Sequence, residues 1–241
     1  MAFAIIDAMT DGFERTVQRN GLLLVAVFAV LAIVNTLLAP TVGPAGTTEP
    51  IGGLVGLITG LLSLVVALVS VIAVIVALRT FASNETEQVP PEFVRRNIGL
   101  TTLNVIVGAI AFTALVAIGS VFFVIPGLFV LVSLYYWSVF VAVEDQNFVQ
   151  AFRSSWDLTR GSRFRLFGLG VAVFGVLVVV TAGAAIPAVF FGTAGALITQ
   201  VVGAVLTVYA LATTVSAYEQ LRSLERLEQP NTKPDMPGTP V

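Results

Sequence analysis

Apolar residues in this chain do not alternate with polar ones; they come in long uncharged runs. Such runs occupy 21–39, 51–78, 98–125, 126–143, 166–190 and 194–216. A helix needs about 20 apolar residues to cross a bilayer, so each run has the length of one crossing. The third and fourth runs form a single tract, 98–143, too long for one span. Ile125-Pro126-Gly127 divides it, because proline lacks the N–H a helix interior needs and glycine permits a sharp change of direction. A hairpin turn at Pro126 and Gly127 is expected, giving six membrane helices. Pro187 sits near the end of the fifth run, where a kink or a stop is tolerated.

Charge then orients the helices. All 12 Lys and Arg residues lie in 1–20, 79–97, 144–165 and 217–241, and the alternate loops hold none. Cytoplasmic loops carry the excess of Lys and Arg, so both termini are expected in the cytoplasm of a multi-pass cell-membrane protein. The first run resembles a signal peptide in position only. Its leader contains Asp7, Asp11 and Glu14, and "LLAPTVG" offers no convincing cleavage site, so an uncleaved span is expected. The fold class predicted is all-α: residues 1–229 as one six-helix membrane domain, with a disordered tail at 230–241 where "QPNTKPDMPGTPV" is Pro-rich and unpatterned.

Composition agrees. The chain is 57% hydrophobic and 11% charged, against about 25% charged in soluble domains. It has no cysteine, which removes disulfides and thiolate chemistry, and no histidine, the commonest general base and metal ligand. A net charge of −2 gives no basic surface for nucleic acid. None of the six runs contains Asp, Glu, Lys, Arg or His, the residues of proton relays and intramembrane catalysis. No catalytic residue, cofactor or metal site is therefore expected, and the chain is not expected to be an enzyme.

Uncharged polar groups within the runs (Asn35, Ser63, Ser70, Asn104, Ser133, Ser138, Thr181, Gln200 and Thr207) suit hydrogen bonds between helices, or a polar path through them. Tyr135, Tyr136 and Trp137 lie well inside the fourth run, although such residues favour the membrane interface. They fit an aromatic-lined intramembrane pocket or the core of the bundle. Gly52, Gly56 and Gly60 repeat every four residues, a pattern that lets a second helix approach closely, from this chain or from another copy. Glu144 and Asp145 have the chemistry of a cation site, and equally that of an acidic start to the next helix.

"SSWDLTRGSRFRLFG" (154–168) brings three arginines, with Arg153 just before them, between two apolar stretches. Read as a helix over 146–160, with Asp145 as N-cap and Gly161 just past its end, it places Phe148, Phe152, Trp156 and Thr159 on one stripe, Val149 beside them. Arg153 and Asp157 fall at pairing distance on another face. Such an amphipathic helix lies flat in the cytoplasmic interface, with Arg153, Trp156, Arg160, Arg163 and Arg165 at headgroup depth. Ser162 then caps the fifth membrane helix. "DGFERTVQRNGLLLV" and "PPEFVRRNIGLTTL" carry a similar Phe-then-basic pattern before other spans, so three segment-plus-hairpin units are possible on the pattern.

The stretch from "IPGLFVLVSLYYW" to "SSWDLTRGSRFRLFGL" resembles the membrane domain found beside glycerophosphodiester phosphodiesterases and its stand-alone polytopic relatives. The matching positions are Pro126-Gly127, Glu144, Ala151, Ser155, Trp156, Leu158, Thr159 and Gly161, within about residues 120–180. The resemblance implies a membrane fold. It does not bring the phosphodiesterase activity, which belongs to a separate soluble domain with histidine and metal-binding carboxylates. The expected role is a non-catalytic accessory or scaffold module that engages lipid headgroups or a partner protein, as a monomer or homo-oligomer. The alternative is a permease for a neutral or lipid-like solute, with its site at Tyr135–Trp137.

Overall fold

The structure, a computed structural model, describes residues 3–38, 53–83, 89–122 and 124–228. In chain order the helices are α1 (Ile5–Val17), α2 (Arg19–Leu38), α3 (Gly53–Phe81), α4 (Pro91–Arg95), α5 (Ile98–Phe122), α6 (Val124–Leu134), α7 (Trp137–Val143), α8 (Phe148–Leu158), α9 (Arg163–Phe191) and α10 (Thr193–Glu228). The fold is all-helical among the described residues, and six stretches of it are long and apolar enough to cross a membrane. Gly52, the glycine-row member nearest the N-terminus, and the Pro-rich tail lie outside the described residues.

The spans depart from simple crossings in three places. The fourth is broken: α6 ends at Leu134, Tyr135 and Tyr136 form a turn, and α7 restarts at Trp137. The sixth is long. α10 has 36 residues, about 54 Å at 1.5 Å per residue, against a hydrocarbon core of about 30 Å. Its last third therefore continues past the end of a single crossing. In the fifth, Pro187 neither stops nor ends the helix, which runs on to Phe191 and turns at Gly192, φ 55°. Thr199 of α10 then donates to the Ala184 carbonyl of α9 at 2.8 Å, fixing the two as an antiparallel pair.

Ile125-Pro126-Gly127 lies within α6, which begins at Val124, rather than forming a turn. Pro126 is the third residue of α6, in the first turn, where the N–H it lacks has no intrahelical partner to lose. Gly127 lets the two helices touch: a Cβ there would lie 2.9 Å from the Ser120 backbone nitrogen, and one on Gly119 would lie 3.0 Å from the Gly127 Cα.

The core is concentrated at one end. Buried apolar residues include Ala73 and Ile75–Leu78 on α3, Val139–Ala142 on α7, and Val208, Ala212, Val215 and Ala217 on α10. At the other end Leu54, Leu57, Leu61, Val179, Val189 and Phe190 are bare. Lipid is as apolar as leucine, so burial of these side chains against one another gains little, and the spans need not pack along their whole length. The packed end is the end that carries the charges.

Short helices open each pair of spans there: α1 before α2, α4 before α5 and α8 before α9. Of these α1 is docked closely, with Ala8, Gly12 and Thr16 buried and a Cβ on Gly12 only 2.8 Å from the Thr213 Cα of α10.

Candidate functional site at the charged end

α8 begins at Asn147, whose side-chain oxygen accepts from the Gln150 backbone N–H at 2.9 Å. Asn147, rather than Asp145, is the cap. Arg153 and Asp157 form no pair, and Ser162 makes no capping hydrogen bond to α9. Gly161 has φ 88° in the turn between α8 and α9, a conformation that suits glycine.

The innermost face of α8 is Ala151, Ser155, Leu158 and Thr159, one position off the aromatic stripe. The rings flank it: Phe152 stacks edge-on against Trp137 at 5.6 Å and Trp156 against Phe129 at 5.4 Å. Small residues approach most closely, so they rather than the bulky ones define the contact with α6 and α7. This seats α8 on the break in the fourth span. The Ser155 hydroxyl accepts from the Tyr136 N–H and donates to the Ser133 carbonyl, each at 3.1 Å. Thr159 donates to the same carbonyl at 3.2 Å. Two side chains of α8 thus take up backbone groups that the interrupted helix would otherwise leave open.

Tyr135, Tyr136 and Trp137 do not stay together. Tyr136 is 1% exposed and Trp137 is buried against Phe112 and Phe152, while half-exposed Tyr135 pairs its hydroxyl with Thr214 of α10 at 3.1 Å. The trio is bundle core and a cross-link at the break. Among the other intramembrane polar groups, Gln200 donates to Thr36 across α10 and α2 at 2.7 Å, and Asn104 accepts from the Phe148 N–H; Ser70 and Thr207 turn back on their own helices. Gly56 is half-buried, and Gly60 has nothing among the described residues within contact distance of a Cβ.

Glu144 and Asp145 diverge into two networks. Asp145 adopts φ 52°, which aspartate tolerates better than most residues. Its carboxylate meets Arg79 at 2.9 Å and Arg96 at 2.5 Å. Arg79, only 5% exposed, also donates through Nε to the Ala142 carbonyl at 2.6 Å, through Nη1 to the Phe93 and Arg96 carbonyls at 2.8 Å, and through Nη2 to Thr101 at 3.2 Å. Its five donors are all engaged, joining α3, α4, α5 and α7. Glu144 turns the other way, accepting from Tyr218 and pairing with Arg222, both on α10.

A third cluster ties α1 down. Arg15 meets Glu219 at 2.6 Å, Asp11 at 3.0 Å and the Phe81 carbonyl at 2.6 Å. Burial alone would lower its pKa; the hydrogen bond and charge of Glu219, with those of Asp11, outweigh that and raise it, so it stays cationic. Arg79, Arg222 and Tyr218 escape sequence reasoning. The legible sign was Arg79 directly abutting the apolar run at Leu78, an arginine placed too close to the span to be a loop charge.

The remaining arginines are unlike these. Arg153, Arg160 and Arg165 are exposed and form no ion pair among the described residues. Arg163 lies against two rings, its guanidinium carbon 4.6 Å from the centre of Phe129 and 4.4 Å from that of Trp156.

The family described as a domain of unknown function, DUF7847, matches residues 3–221. The chain belongs to that family. No curated protein and no solved structure matches it significantly.

In this DUF7847 member the match runs from the start of α1 to the polar end of α10, so both partners of the α1–α10 docking lie within it. Among the described residues no three His, Cys, Asp or Glu side chains gather as metal ligands would. A cleft of about 480 Å³ opens at the charged end, lined by Val143, Glu144, Tyr218, Glu219, Arg222 and Arg226 among others. Its acids are already matched, Glu144 by Arg222 and Glu219 by Arg15.

Proposed function

We propose that this DUF7847 member is a non-catalytic membrane module that engages anionic lipid headgroups at its charged end. The observation that carries the reading is the turn from α8 to α9. Arg153, Arg160 and Arg165 stand exposed without an acidic partner there, beside Phe164, which is 94% exposed. Cations beside a bare aromatic ring suit the headgroup layer, where each Lys or Arg near an anionic surface gains about 1 kcal/mol. In this reading α8 is an amphipathic segment that belongs to both the bundle and the interface, its small face inward and its arginines outward. The charged end, both termini included, is cytoplasmic and the membrane is the cell membrane, on the positive-inside asymmetry.

The residues by which the chain resembles the phosphodiesterase-associated membrane domain, Ala151, Ser155, Trp156, Leu158 and Thr159, are those that seat α8. We take the resemblance as one of membrane architecture, with no activity attached. The broken fourth span is what favours the permease alternative, since discontinuous helices line many transport sites. Against it, the backbone groups at the break are already occupied by Ser155 and Thr159.

The test is reconstitution of the full chain into nanodiscs of neutral or anionic phospholipid. The melting temperature is expected to be higher in the anionic discs, with the difference shrinking as salt rises and when Arg153, Arg160 and Arg165 are changed together to Gln. Equal stability in both lipids would move these arginines to a protein partner. A reporter fused after Gly161 should report the cytoplasm and one inserted near Gly46 the outside; the same side for both would overturn the topology.

A further inference from the structure

Arg163 differs from every other described arginine that is drawn into the protein. Arg15, Arg79 and Arg222 each meet carboxylates; Arg163 meets none. Its Nε and Nη2 are sealed from solvent with no hydrogen-bond partner. Phe129 and Trp156, themselves in edge-on contact, lie together on one side of the guanidinium. The rings attract the charge but bring no counter-charge to it. A partly desolvated cation without a counter-charge is a poor final state, and an anion arriving at its open edge is what completes it. That edge is Nη1, the nitrogen not sealed.

The surroundings narrow the anion. On α9, Phe167, Val171 and Phe174 follow Arg163 at i+4, i+8 and i+11, on one helix face, and all three are exposed. Phe129 on α6, which touches Arg163, is exposed as well. A cation therefore heads a bare apolar stripe, which is the outline of a phospholipid, phosphate above and acyl chains below.

We infer that Arg163 holds the phosphate of one discretely bound phospholipid, with Trp156 and Phe129 keeping the guanidinium in place and the chains lying along the α9 stripe. This deepens the headgroup reading above and rests on it, but it is a single site rather than a diffuse surface effect. Arg163 is the ligating residue, and Trp156 a positioning one.

Native mass spectrometry of the full chain in neutral detergent, titrated with phosphatidylglycerol, tests it. One lipid should bind ahead of the rest. Arg163→Gln should weaken that first binding about ten-fold or more, the worth of a charge-assisted hydrogen bond, and Arg163→Lys less. Without lipid, Arg163→Gln should melt no lower than the wild type, because the lipid-free protein leaves the charge unmatched. A merely structural ring clamp predicts a lower melting temperature with and without lipid, and that result overturns the site. Should that variant fail to fold, Trp156→Leu must weaken the first lipid; unchanged affinity in it also overturns the proposal. Inorganic phosphate alone, if it binds as tightly and displaces the lipid, assigns the site to free phosphate instead. If Arg153→Gln and Arg160→Gln weaken binding while Arg163→Gln does not, the diffuse headgroup reading stands and the discrete site falls. If none of the three matters, both fall.

Discussion

Ser155 on α8 and Ser133 on α6 are 22 residues apart in the chain and joined at 3.1 Å, hydroxyl to carbonyl. The same hydroxyl accepts from Tyr136, so one small side chain bridges both sides of the break in the fourth span. An interrupted helix in lipid requires such a partner, because no water is at hand to take the freed groups. The break and the docking of α8 are one feature.

Ser155→Ala should therefore cost about 1–3 kcal/mol, the penalty for a buried N–H left without an acceptor. Thr159→Val should cost less, since Ser155 still serves the Ser133 carbonyl. Unfolding midpoints in detergent compare the two, and equal values would remove the bridging role from Ser155.

Arg79→Ala should lower stability by about 3–5 kcal/mol, as expected when one partner of a buried ion pair is removed. Arg79→Lys should recover only part of this, since a lysine ammonium cannot reproduce a planar fork of five donors. Asp145→Asn keeps a residue tolerant of positive φ and leaves Arg79 four of its partners, so it should be milder than Arg79→Ala. Denaturant titration followed by circular dichroism gives the ranking; an Arg79→Lys variant as stable as the wild type would contradict the hub.

The two residues of the Pro-Gly pair should separate on mutation. Pro126→Ala changes a residue in the first turn of α6, where no hydrogen bond is lost, and should shift stability by less than about 1 kcal/mol. Gly127→Ala pushes a methyl against Ser120 of α5 and should cost about 1–3 kcal/mol. Thermal melts of the two single variants decide the matter, and the reverse order would put the turn back at Pro126.

Residue pattern alone determined the class of the protein and its number of crossings. Apolar runs of bilayer length need no tertiary partner to be recognised, because the constraint comes from the solvent: lipid admits a chain only as a helix that satisfies its own backbone. The segregation of arginine to alternate loops is likewise a property of the sequence. Asn147 beside Phe148 is a cap signal of the same local kind, with Asp145 a competing one two residues earlier.

Tertiary structure decided the rest. Glu144 and Asp145 read as one acidic pair, yet they serve opposite networks because Asp145 turns the backbone between them and their arginines come from α3, the residue after α4, and α10, which no local spacing relates. The aromatic stripe of α8 was legible; that Ala151 and Ser155, not Trp156, are innermost was not, because close approach between helices is governed by which side chains are smallest at the crossing. Arg153 and Arg163 look alike in sequence. Only the fold carries one into open surroundings and sets the other against Phe129 and Trp156, with no carboxylate beside it among the described residues.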